Sequence, residues 1–377
     1  MSSNSKIGLM LPGGGARGAY QIGVLKGILE IMPNNVNVFP IITGTSAGAI
    51  NAVVLASYAH DLRLGVQRLE KFWTGLHCEN VYRTDAFIII RTIAKVIGAM
   101  FFSKLGAKAP NSLLDNTPLK DLLKRELHLP QIQQAIDKGI LHGLSITASS
   151  YDTSVAKSFY QAHSSVHAWN RTRRIGLPEK IEVEHILASA ALPFLFPAQL
   201  IQKEYYGDGG LRMNAPLSPA IHLGAERILV IGTRDESPIP TPTEVPEYPS
   251  MGALGGYMLD TIFMDTMMAD LSRLKRINRT INLLNSEQKI QTRLKQIDTM
   301  IIKPSIDVRD VTAEHAGDIP RPVRTLLKMI GGWGKDWRMP SYLLFEPGYT
   351  CALIELGYQD SLNKKQAILD FLSSENR

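Results

Sequence analysis

The chain has little of what would set it apart from ordinary globular proteins. Only two cysteines, Cys78 and Cys351, occur in 377 residues. That is too few for a disulfide framework and gives no metal-ligand pattern, so a reducing compartment is permitted. Aromatic residues make up 7% of the chain, and no basic run is interleaved with them. This argues against nucleic acid as a partner. The most apolar stretch, Ala86 to Phe102, is interrupted by Arg91 and Lys95, short of the ~20 apolar residues of a spanning helix. The opening Met1-Ser2-Ser3-Asn4-Ser5-Lys6 lacks the apolar segment of a secretory signal. There is no internal repeat and no low-complexity tract.

What is present describes a globular chain with a large core. The hydrophobic fraction is 45% and mean hydropathy is -0.03, ordinary values for a folded protein. A net charge of +6 makes it moderately basic. The cations gather in small groups: Lys120, Lys124 and Arg125; Arg171, Arg173 and Arg174; Arg273, Lys275, Arg276 and Arg279. Each group reads either as a solvated helix face or as a contact for an anionic lipid surface.

Strand and helix patterns alternate over the first ~60 residues, as a parallel sheet requires. Ile7–Leu11 predicts a strand and the segment through Tyr20, Val24, Leu25, Ile28 and Leu29 a helix. Phe39–Thr43 predicts the next strand and Ala47–Tyr58 a helix rich in small residues. Further strands are expected at Leu144–Ser149, Lys157–Tyr160, Gln199–Tyr206 and Arg227–Gly232, with a helix at Glu182–Ala190. Pro238, Pro240, Pro242, Pro246 and Pro249 then mark a linker. Beyond it, Leu254–Leu284 has helical spacing and many methionines, reading as a cover for the core or a lipid-contacting helix. The expected division is a catalytic domain over 1–235, then a Pro-rich linker and mainly helical extension over 236–377.

Two glycine turns each follow one of the first two predicted strands. Gly13-Gly14-Gly15-Ala16-Arg17-Gly18 also fits the dinucleotide pattern G-x-G-x-x-G. That pattern needs an acidic residue ~20 positions on, and Asn34–Thr43 contains no Asp or Glu. The second turn, Gly44-Thr45-Ser46-Ala47-Gly48, suits a serine held at a sharp strand-to-helix bend. Ser46 alone reads equally as a helix N-cap. Acyl transfer needs such a serine beside backbone N–H groups that hold an oxyanion, which the first turn is able to supply.

A serine nucleophile also needs a base. None of the nine histidines lies in a glycine-framed turn, although His222 completes a Ser–Asp–His order in the chain. Asp208, bounded by Gly207, Gly209 and Gly210, has the backbone freedom to approach another loop. Its plainer reading is a turn aspartate.

Together these segments resemble the patatin-like phospholipase family. The likeness rests on the Gly13–Gly18 loop, the Gly44–Gly48 elbow, Asp208-Gly209-Gly210 and the run from Ala188 to Pro197. It extends over roughly Lys6 to Thr233, with Ser341-Tyr342-Leu343-Leu344-Phe345 resembling the extension of bacterial members. One departure is Ala198, where many members have a second proline. The resemblance implies a three-layer α/β fold with a mainly parallel sheet and a helical C-terminal extension. It implies a Ser46–Asp208 dyad without a catalytic histidine, an oxyanion hole from Gly13, Gly14, Gly15, Ala16, Arg17 and Gly18, and no metal or cofactor. Arg17 is expected to steady that loop or to approach a substrate phosphate. Gly44 and Gly48 frame the elbow, and Gly209 and Gly210 follow the aspartate. Pro193, Phe194 and Phe196 are expected at an acyl channel, or else in the core.

The implied substrate is a phospholipid or lysophospholipid, cleaved at an acyl ester. Phe87-Ile88-Ile89-Ile90 and the residues to Phe102, flanked by Arg83, Arg91, Lys95 and Lys104, read as an interfacial helix or as one buried on the sheet. A peripheral membrane surface is the expected partner. An activating partner and homo-oligomerisation stay open. The expected location is cytoplasmic or peripheral membrane, with export lacking an N-terminal signal as the other route. Two rival readings stand: a carboxylesterase or thioesterase on soluble esters, and a non-catalytic lipid-binding regulator.

Overall fold

The computed structural model describes residues 6–32, 37–91, 112–235, 248–292, 294–334 and 336–373. Within these, ten strands form one sheet. They are β1 (Ile7–Leu11), β2 (Ile41–Thr45), β3 (Gly143–Ser150), β4 (Ala156–Ala162), β5 (Trp169–Arg171), β6 (Arg174–Pro178), β7 (Gln199–Ile201), β8 (Glu204–Asp208), β9 (Arg227–Ile231) and β10 (Asp298–Ile302). Their order is β10-β9-β1-β2-β3-β4-β6-β5, with β8 also on β3 and β7 on β8. Every pairing from β10 through to β3 is parallel, and antiparallel pairing begins between β3 and β4.

Buried parallel strands are apolar on both faces, and the side chains divide accordingly. Leu9, Leu11, Ile42 and Leu229 enter one core with helices α1 (Ala19–Ile31), α2 (Ala47–Ser57) and α3 (Leu62–Thr74). Met10, Ile41, Ile228 and Val230 enter the other, against the helices Ser218–His222 and Thr266–Leu283. The fold is therefore a three-layer α/β sandwich, helices on sheet on helices.

The C-terminal segment is built into these layers. β10 lies on β9 in parallel register, Thr299 beside Ile228. The helix Pro347–Asn363 runs against α1 with the two backbones almost touching. A Cβ on Gly23 would stand 1.8 Å from the Ile354 carbonyl oxygen, and one on Gly357 would stand 2.3 Å from that of Tyr20.

Several segments differ from the sequence expectation. Gln199–Tyr206 is not one strand but the β7–β8 hairpin, reversing at Gln202 with φ 55°. Gln202-Lys203 carries none of the usual glycine or asparagine turn signals. β5, β6 and β10 were not anticipated; each is a short edge-region strand whose pairing partners, not its own composition, make it a strand. The helical run after the proline segment is broken into Met251–Asp260, a π-helical turn Thr261–Asp265, and Thr266–Leu283. Of the apolar stretch 86–102, residues 86–91 are helical and the others lie outside the described residues. Phe87 and Ile90 are exposed there while Ile89 is buried.

Helix propensity favours alanine over glycine by ~1 kcal/mol, yet Gly23→Ala is expected to destabilise the protein. Overpacking against the Ile354 carbonyl should cost about 1–3 kcal/mol, read as a lower Tm and an earlier urea midpoint.

Candidate active site

Strand register brings the sequence motifs together. β1 pairs with β2 so that Leu11 lies beside Gly44. Two residues further along each strand come Gly13 and Ser46, and a Cβ on Gly13 would lie 2.8 Å from Ser46 Cβ. β2 then occupies one edge of β3 as far as the pair Thr45 and Thr147. β8 takes over the same edge from the opposite direction, with Asp208 beside Ala148. The ends of β2 and β8 thus meet head to head on adjacent β3 residues, which puts Ser46 next to Asp208.

Ser46 has φ 55° and ψ -129° and makes no side-chain cap on α2. Ser46 thus stands at the N-cap position, but its hydroxyl is left unused by the helix. A left-handed non-glycine residue costs roughly 1–3 kcal/mol and persists only where neighbours enforce it. Here the flanking glycines allow the turn to close. A Cβ on Gly48 would stand 2.1 Å from the Leu11 carbonyl oxygen, and one on Gly44 would stand 2.4 Å from that of Gly48. The Ser46 N–H donates to Ser189 Oγ at 2.9 Å, and Ser189 Oγ donates to the Thr147 carbonyl at 2.6 Å.

Asp208 is fully buried. Its Oδ1 accepts the Gly210 N–H at 2.8 Å, while Oδ2 has no hydrogen-bond partner of good geometry. Burial pushes the carboxyl from 3.8 up to about 7; the nearby Ser46 hydroxyl and the Gly210 N–H pull it back only in part. One N–H serves the carboxyl, and the group is poised near neutrality.

Gly13–Gly18 forms a tight turn with Gly15 at φ 55° and a 3-10 segment Gly15–Gly18. Ala16 and Gly18 are buried within it. Arg17 is buried as well and faces the C-terminal segments. Its Nη1 donates to Asp260 Oδ1 at 2.9 Å and to Tyr342 Oη at 3.2 Å. Its Nε and Nη2 donate to Ser341 Oγ at 2.9 and 2.6 Å, and the guanidinium lies 4.0 Å from the Tyr342 ring centre. Of the two roles expected of Arg17, the geometry fits steadying the loop. Burial alone pushes the Asp260 carboxyl up, but Arg17 and Tyr342 hold it below its ordinary value.

A small apolar pocket of about 30 Å³ lies beside Ser46, walled by Leu76, Val81, Leu119, Leu192 and Phe196 among others. Phe196 is thus part of the wall. Pro193 and Phe194 are not: Phe194 stands 73% exposed with φ 65° on the outer surface. Gly209 fits closely under the Thr147 carbonyl, 2.1 Å from where its Cβ would be. His222 is remote from this chemistry, stacked on Trp169 at 4.7 Å and bonded through Nδ1 to the Ser218 carbonyl. Among the described residues, no cluster of His, Cys, Asp and Glu is arranged to hold a metal ion, and no helix is long and apolar enough to cross a membrane.

Sequence reasoning missed Ser189, Thr233, Asp260 and Phe263. Ser189 lay inside the quoted Ala188–Pro197 run without a role. The available signal for Asp260 was an acidic residue within an apolar helix, since such a group is buried only with a partner.

These features define a three-layer α/β protein with its candidate site at the carboxyl end of the sheet, where ligand sites of such folds lie. The chain belongs to the patatin-like phospholipase family, whose model matches residues 9–221. That family is one of lipid acyl hydrolases. No curated protein matches the sequence. Among solved structures it is similar to VipD from Legionella pneumophila, with 14% identity and a TM-score of 0.43, covering 97% of this chain and 67% of that one. It is also similar to human GIVD cytosolic phospholipase A2 in complex with methyl gamma-linolenyl fluorophosphonate. There the identity is 12% and the TM-score 0.41, covering 98% of this chain and 59% of that one.

The raised pKa of Asp208 has a consequence for stability. Between the ordinary carboxylate range and about pH 7 the folded state holds a proton that the unfolded chain has released. Stability from this group is therefore present at low pH and lost as pH rises through the folded pKa. By ~1.4 kcal/mol per pKa unit the loss is on the order of 4 kcal/mol. Asp208→Asn, which cannot ionise, should raise Tm at about pH 8 and change it little at about pH 4.5.

Proposed function

We propose that the protein is a serine hydrolase cleaving fatty acyl esters of phospholipids or lysophospholipids through a Ser46–Asp208 dyad, with no metal or cofactor. One observation carries this reading: a strained, uncapped Ser46 lies beside a buried Asp208 whose Oδ2 is unpartnered. Ser46 Oγ attacks the ester carbonyl while its proton passes to Asp208 Oδ2. The N–H groups around Gly14, Gly15 and Ala16 receive the oxyanion, a contribution of ~3–4 kcal/mol per donor in other hydrolases. As the C–O bond breaks, Asp208 returns the proton to the leaving alcohol. Water then attacks the acyl-enzyme, giving its proton to Asp208, and as the C–Oγ bond breaks Asp208 passes that proton to Ser46 Oγ, releasing the fatty acid. A carboxyl near pH 7 suits both directions of transfer. The apolar pocket between Ser46 and Phe196 marks where the acyl chain enters.

The same reading includes peripheral contact with a lipid surface. Tyr151, Leu200 and Tyr205 are exposed next to the end of β8's pairing with β3. The β5–β6 turn carries exposed Arg171 and Arg173 at that same end, since Arg174 lies beside Ala156 and Ala156 beside Ser149. Aromatic side chains beside arginines suit an anionic headgroup layer.

A fluorophosphonate probe should label Ser46 in the wild type and not in Ser46→Ala. Release of fatty acid from phospholipid vesicles should fall at least about a thousandfold in Asp208→Asn and stay near wild type in His222→Ala. The kcat/KM profile should lose activity on acidification through about pH 7. Activity confined to short soluble esters would replace the lipid reading with an esterase. A folded, unlabelled protein would make it a lipid binder. Vesicle sedimentation should favour anionic over zwitterionic lipid and weaken in the Arg171→Glu, Arg173→Glu double variant, whose soluble-ester turnover is unchanged.

A further inference from the structure

Beyond its contacts with Ser46, Ala47 and Trp73, the glycine loop is braced by residues that follow the family-matched segment 9–221. Gly13 lies under the Phe263 ring, where a Cβ would stand 2.3 Å from Cε1. Gly14 lies against Thr233, whose Oγ1 donates to the Gly13 carbonyl at 2.8 Å. Gly15 meets the backbone of Tyr342, 2.3 Å from its carbonyl oxygen to a would-be Cβ. Gly13 and Gly15 therefore touch the C-terminal third, and Gly14 touches the residues just after β9.

The charge at the end of this loop is held the same way. Arg17 bonds Asp260, Ser341 and Tyr342, residues 243 to 325 positions away. Tyr342 Oη also donates to Asp260 Oδ1 at 2.7 Å, and Arg338 Nε lies 3.2 Å from Asp260 Oδ2. Asp260 is thus the common anion between two arginines and a phenol. It is the last residue of the helix Met251–Asp260, directly before the π-helical turn that carries Phe263. Such π-helical insertions are frequent at functional sites.

We infer that Asp260 is a positioning residue: acting through Arg17, it fixes the Gly13–Gly18 loop so that the loop's N–H groups meet the oxyanion. The inference rests on the function proposed above and adds to it that the C-terminal third completes the reaction geometry. Anchors at both ends set the loop: Thr233 and Phe263 at Gly13 and Gly14, Asp260 with Ser341 and Tyr342 at Arg17. A loop released at Arg17 keeps its glycines and its serine neighbour but loses the alignment of its donors. Donors that are misaimed stabilise the transition state less while leaving acyl-chain binding alone.

The test uses the full-length chain and a soluble chromogenic ester, with active sites counted by exhaustive fluorophosphonate labelling. Asp260→Asn is expected to lower kcat per labelled site by about ten- to a hundredfold with KM within about twofold. The rate of labelling should fall in parallel, and Asp260→Glu should recover part of the loss. Equal kcat per labelled site in Asp260→Asn and wild type overturns the inference, even if Tm drops. Should Asp260→Asn fail to fold, Asp260→Glu carries the test, since it keeps the charge but shifts it by one methylene against Arg17. Its kcat per labelled site should fall below wild type at constant KM, and kcat equal to wild type overturns the inference. A folded wild type that never labels at Ser46 removes the proposed function itself, a result distinct from either.

Discussion

The edge of β3 is shared by two strands that arrive from opposite directions, and the candidate site depends on that sharing. A parallel strand ending at Thr45 and an antiparallel one ending at Asp208 occupy successive positions along one neighbour. Neither end is able to move along β3 without breaking ladder hydrogen bonds or turning its side chains to the other face. The serine–carboxylate distance is therefore a property of the sheet register, and loop chemistry only refines it. The glycines on either side remove the side chains that would prevent backbones from meeting.

Two opposed demands meet at this junction. A carboxyl that takes and returns a proton near neutral pH needs a dry surrounding, and that surrounding penalises its charge. In the proposed reaction Asp208 satisfies the first demand at the expense of fold stability. Ser46 likewise sits in a conformation that an isolated chain avoids. Strain and burial of this kind persist where the surrounding structure is strong enough to hold them. Here the strength comes from two cores, one on each sheet face, and from a C-terminal helix in backbone contact with α1.

Much of the central sheet was legible in the sequence because its strands are short apolar runs followed by glycine turns. The position of Ser46 after β2 and of Asp208 after a strand could be read in the same way. What could not be read was pairing at a distance. The β7–β8 reversal at Gln202-Lys203 and the strands β5, β6 and β10 depend on neighbours for their identity. Arg17 shows the limit best: its residue type allowed a role toward substrate or toward the loop. Only partners more than 240 positions away distinguish these. Phe194 and Phe196 shared one motif and one expectation, yet a left-handed backbone at Phe194 turns it to solvent while Phe196 lines the pocket.

The central place of β1 has a consequence for how the chain matures during synthesis. β1 is among the first segments made, and one of its two sheet neighbours, β9, begins only at Arg227. Arg17 waits longer still, for Ser341 and Tyr342. At about 5–20 residues per second, more than ten seconds pass between making the loop and making its anchors. An incomplete chain thus carries every motif of the family but an unbraced loop.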